Sequence, residues 1–122
     1  MRKHFAVAMM VAALIMVGVS YAEDAKTITG EAADIACYLG GKGGEGHAAC
    51  AKSCADKGNP LGIVSKGADG KDTVYLVLGG GGKAAKDVLG DLMGKQVTAT
   101  GVVTEKGGMK VLTVAKVEAA KK

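Results

Sequence analysis

Glycine sets the length of every element this chain can form. Twenty of its 122 residues are Gly, and they break the sequence from Gly40 to Gly46 and again from Gly79 to Gly82. Glycine loses more backbone freedom on ordering than any other residue, so such clusters end helices and strands. Thr27–Cys37 reads as a first strand, with Ile28 and Ile35 as its apolar markers and Gly30 as a bulge or bend. His47–Lys57, with the sequence HAACAKSCADK, reads as a helix of about three turns. Gly58 and Pro60 stop it.

Leu61–Ser65 is a second strand, and Asp69-Gly70 turns it into a third, Thr73–Leu78. Val74, Leu76 and Leu78 fall on one side of that strand, Tyr75 and Val77 on the other, which predicts cover on both faces. Ala85, Val88, Leu89 and Leu92 recur at helical spacing up to Gly94. Gln96–Thr104 and Met109–Val117 are the last two strands, turned at Gly107-Gly108. The fifth is expected to carry Met109, Val111, Ala115 and Val117 on one face. This order predicts a mainly β, OB-like five-stranded barrel with two helices. The Cys/His helix is inserted between strands 1 and 2, and the second helix lies between strands 3 and 4.

The first residues follow a different logic. Met1-Arg2-Lys3-His4 is basic, Phe5–Val19 is an apolar run, and Ser20-Tyr21-Ala22 puts small residues at the third and first places before a cut. That is the design of a cleaved secretory signal peptide. An apolar run this short falls below the roughly 18 residues that cross a bilayer comfortably. Cleavage is expected between Ala22 and Glu23, leaving one OB-like domain from 23 to 122 in the periplasm or secreted, with no membrane attachment.

Losing Arg2 and Lys3 with the leader lowers the formal charge from +4 to +2. The only Phe goes as well, there is no Trp, and the core must be built from Val, Leu, Ile and Ala. A mild charge, Tyr38 and Tyr75 as the only remaining aromatics, and no Arg argue against nucleic acid as a partner.

The chemistry gathers in Cys37, His47, Cys50 and Cys54. The last three are spaced i, i+3 and i+7 and share one helical face, while Cys37 closes the strand leading into the same loop. Positions i and i+7 lie about 10.5 Å apart along a helix axis, and a single ion does not easily reach both. Cys37, Cys50 and Cys54 are therefore the easier trio, with His47 as a fourth ligand if it belongs to the loop and folds back. Asp34 reads either as an acceptor behind a ligand or as a solvated strand residue, and Tyr38 as packing beside Cys37.

Thiolates with one imidazole suit copper(I) or zinc. Two other readings stand beside that one. In an exported chain two of the three thiols can pair, Cys37 with Cys50 or Cys54, leaving a disulfide-stapled OB-like module for a ligand or another envelope protein. The spare thiol near His47 could instead serve thiol redox or sensing. No catalytic constellation is visible, so an enzyme is not expected. Gly41-x-Gly43-x-x-Gly46 matches a dinucleotide fingerprint but lacks the parallel βαβ unit. Gly79–Lys83 fails as a phosphate loop, because Val77 holds the first glycine position.

Cys37-Tyr38-Leu39, the glycine loop, His47-x-x-Cys50-Ala51-x-x-Cys54-Ala55 and Gly58-x-Pro60-x-Gly62 resemble a family of small exported bacterial proteins with an OB-like domain. The resemblance runs from about Thr27 to Val117. It implies an envelope location and the barrel, and brings no established activity. The glycine run Gly79–Gly82 departs from the family's pattern. Together these observations predict a periplasmic, non-enzymatic protein that holds a soft metal ion on Cys37, His47, Cys50 and Cys54.

Overall fold

A computed structural model describes residues 25–120; the expected leader and its cut after Ala22 lie outside them. Five strands form the body: β1 (Lys26–Asp34), β2 (Leu61–Lys66), β3 (Asp72–Gly79), β4 (Gln96–Lys106) and β5 (Met109–Ala119). Three short α-helices accompany them: α1 (Ile35–Leu39), α2 (Ala48–Asp56) and α3 (Ala85–Leu89). A 3-10 turn, Glu45–His47, leads into α2, and another, Gly90–Leu92, extends α3.

The strands pair in the order β1-β2-β3-β5-β4, and β4 returns to β1, closing the sheet into a ring. All pairings are antiparallel except β3 with β5, where Leu76–Gly79 run alongside Val111–Val114. The chain is therefore mainly β and OB-like, with a helical insertion between β1 and β2 and another between β3 and β4, as the order of elements predicts.

Closure requires one strand to serve two neighbours. β1 pairs with β4 over Lys26–Glu31 and with β2 over Glu31–Asp34. Gly30 sits just before this handover, where a Cβ would run into the Val64 carbonyl. Its role is close backbone approach; of the bulge or bend expected there, the bulge is not formed, since the pairing with β4 runs in unbroken register.

The interior is small. Ala32, Ile63, Val77, Val97, Ala99, Leu112 and Val114 are buried inside the ring, with Leu89 and Met93 from the second insertion and Ala51, Ala55 and Leu61 at its edge. Fully burying a side chain such as Ile63, Leu89 or Leu112 stabilises by about 1.5–3 kcal/mol.

Two strand faces differ from expectation. On β3, Val77 is buried and Tyr75 packs against the core, but Leu78 remains 57% exposed, so the outer face is not covered along its length. On β5, Leu112 and Val114 point inward, while Met109 is 49% exposed and Ala115 is exposed. The reason is a bulge: Gly101 faces Val114 but Thr100 faces Lys116, so Ala115 has no partner. One extra residue flips the alternation, and Val117 then returns to the side of Leu112 and Val114.

Candidate metal centre

The site is built where β1 ends. The first strand was expected to run through Cys37, but it stops at Asp34, and Ile35–Leu39 form a single helical turn instead. Asp34 is the N-cap: its backbone is extended and its Oδ1 accepts the Cys37 N–H at 2.8 Å. A short acidic side chain three residues ahead of a free amide offers the turn a hydrogen bond that strand pairing would not supply. The turn closes at Gly40, which donates to the Ala36 and Cys37 carbonyls, and Lys42 donates to the Cys37 carbonyl at 2.9 Å. Cys37 is thereby held by its own backbone on both sides.

Tyr38 does more than pack. Its hydroxyl donates to Asp72 Oδ2 at 2.8 Å and ties this turn to the start of β3. Glu31 performs a matching task for the glycine loop, where its carboxylate accepts the Gly44 N–H. Gly44 takes a φ of 81°, a conformation that side-chain-bearing residues rarely adopt.

The helix α2 supplies the other two sulfurs. Ala51 and Ala55 face the core at 4% and 1% exposure, which fixes how the helix is rotated. Cys50 and Cys54, four residues apart, then stack along one flank. Cys50 is exposed, Cys54 and Cys37 are half-buried, and all three are free thiols. Their sulfurs lie within 4.8 Å of one another, close enough to share an ion. Sulfur is a soft donor, and three of them fit a soft cation in chemistry as well as position.

His47 is not part of that cluster. It sits in the 3-10 turn at the N-cap position of α2 and makes no cap with its side chain. Side chains lean toward the helix start, which turns the ring away from Cys54. Its Nε2 is buried and has no hydrogen-bond partner. The ring lines a small cavity that only Cys37 of the trio reaches, together with Glu31, Asp34 and Lys42. Asp34 Oδ2, also without a hydrogen-bond partner, belongs to the same lining.

Electrostatics within the site follow from Asp34. It is 1% exposed, and burial pushes its carboxyl up. The Cys37 N–H and thiol, the Asn59 side chain and the Ala36 N–H outweigh that and hold it below 3.8. The thiol and Asn59 act without completing a hydrogen bond to Oδ2. The Cys37 thiol is pushed up to about 12, first by its contact with the Asp34 carboxylate, then by burial, by the Asp34 charge and by Cys54. Cys37 therefore keeps its proton at neutral pH until something displaces it.

Sequence reasoning finds the three sulfurs and part of what positions them. Of the two readings of Asp34, acceptor behind a ligand or solvated residue, the first holds: it is buried and caps the Cys37 turn. The Asp-x-x-Cys spacing carried that signal. Glu31 and Gly94 gave none, because their contacts bridge distant segments. Gly94 lies under the site, with a φ of 78° and no room for a Cβ against Ala48 and the Gly44 carbonyl.

No protein-family model matches the chain, and no curated protein matches it. Among the described residues no helix is long and apolar enough to cross a membrane.

Proposed function

We propose that this chain is an exported, periplasmic soft-metal-binding protein that takes one copper(I) or zinc ion on Cys37, Cys50 and Cys54. The observation that carries the proposal is the convergence of three sulfurs within 4.8 Å, drawn from two separate helical segments. Copper(I) is satisfied by thiolates alone. Zinc asks for a fourth donor, and His47, whose Nε2 is buried without a partner, supplies it by turning out of its cavity. Export is proposed from the tripartite first 22 residues.

Native mass spectrometry with elemental analysis tests this on protein purified from the envelope and on the same protein reduced and given metal. One ion per chain, lost when Cys37 or Cys54 becomes Ser, supports the proposal. A chain that takes up no metal after reduction defeats it. Two sulfurs joined in the natural protein, seen as a loss of two hydrogens, would replace it by the stapled module.

A further inference from the structure

Soft centres differ in the charge they leave on three sulfurs. Three thiolates carry two net negative charges around copper(I), one around zinc(II), and none around a trivalent centre. The surroundings of the trio make that difference matter. Asp34 is 1% exposed, stands against Cys37, and is reached by none of the ion pairs among the described residues. The cavity it shares with Cys37 also holds the Glu31 carboxylate, with Lys42 and His47 as the basic side chains of the lining. Adding negative charge beside a buried carboxylate is costly, because little water is present to screen it. A filled site without net charge avoids that cost.

Coordination number separates a trivalent centre from zinc, while copper(I) is set apart by charge alone. Trivalent metalloids keep a lone pair, bind three sulfurs as a pyramid and leave the fourth direction empty. Here Cys37, Cys50 and Cys54 form the cluster, and no fourth His, Cys, Asp or Glu among the described residues joins it. The exposed Cys50 offers the point of entry, and the half-buried Cys54 and Cys37 complete the set.

We propose that Cys37, Cys50 and Cys54 capture a trivalent metalloid hydroxide of the arsenous acid class as a pyramidal three-thiolate adduct. The proposal rests on the trio being a soft-ion site and names a ligand class for it. The step balances without any redox partner. Three S–H bonds and three As–OH bonds break, three As–S bonds form, and three water molecules leave. Arsenic stays trivalent, a neutral acid enters, and a neutral adduct remains.

The reduced full chain is titrated without oxygen against sodium arsenite, copper(I) and zinc(II) separately, with intact and native mass as readouts. The expected result is one arsenic per chain with three hydrogens lost, and displacement of bound zinc by arsenite. Cys50→Ser, at an exposed position, keeps the far-ultraviolet circular dichroism spectrum and weakens arsenite binding by about tenfold or more. A chain that takes copper(I) or zinc(II) but no arsenic overturns this proposal and leaves the metal proposal standing. Arsenite bound equally well by Cys50→Ser means that two sulfurs suffice, and also overturns it. A reduced, folded chain that takes none of the three defeats both.

Discussion

Asp34 acts on Cys37 in two ways: Oδ1 accepts the Cys37 N–H at 2.8 Å, and the same carboxylate, standing against the thiol, disfavours its ionisation. One residue thus shapes the turn that presents the first sulfur and sets how readily that sulfur ionises.

Asp34→Asn separates the two roles. Asn caps a helix about as well as Asp, so the turn persists, while the negative charge against the thiol is lost. The Asp34 share of the upward shift of the Cys37 thiol should disappear, moving it toward its ordinary 9.0. The rate of alkylation against pH, followed in a chain where Cys50 and Cys54 are Ser, reads this directly. An unmoved profile would place the cause elsewhere.

Ion capture should strengthen with rising pH. The Cys37 proton is held up to about 12, so a copper or zinc ion binding this sulfur at neutral pH must release it. Each proton released makes affinity change by about tenfold per pH unit. Competition titrations at several pH values measure the slope, and a flat response would exclude Cys37 as a ligand.

Acid should weaken the fold through Asp34. Its folded-state carboxyl lies below 3.8, so the unfolded chain takes up the proton first as pH falls. The stabilisation is complete above about 3.8, declines as pH drops toward the lower folded value, and is gone beneath it. Urea unfolding at a series of acidic pH values should show the decline. Asp34→Asn should remove that share of it.

Gly94→Ala tests how the site is supported. A Cβ there would come 2.8 Å from the Ala48 Cβ and 2.8 Å from the Gly44 oxygen, at a φ of 78°. Overpacking of this kind costs about 1–3 kcal/mol, and the displaced elements carry Cys50, so metal affinity should fall with stability. Gly90→Ala is the control, with open space around it and a helical φ of −51°. It should be neutral or add about 0.4–1 kcal/mol.

What could be read from the residues divides by range. The order of strands and helices was legible because Gly58, Pro60, Gly70 and Gly107-Gly108 punctuate it locally. The cysteine trio was legible because two members share a helix flank and the third precedes them closely. The inward residues of β5 were not, since the bulge at Ala115 depends on how β4 and β5 close against each other. The helical turn at Cys37 was hidden by the apolar Ile35, whose strand-like character is outweighed by the Asp34 cap. The position of His47 depends on a loop held by Glu31, a contact thirteen residues apart.

Gly94 donates to the Ala32 carbonyl at 2.8 Å, and Ala32 donates to the Lys95 carbonyl at 3.0 Å. The late part of the polypeptide is thus stitched under the strand that precedes Cys37 and under the first turn of α2. A nascent chain that has released all three thiols but not yet its final strands possesses the reactants without the cradle. The geometry of the trio therefore depends on residues, Gly94 and Lys95 among them, that are made after all three cysteines.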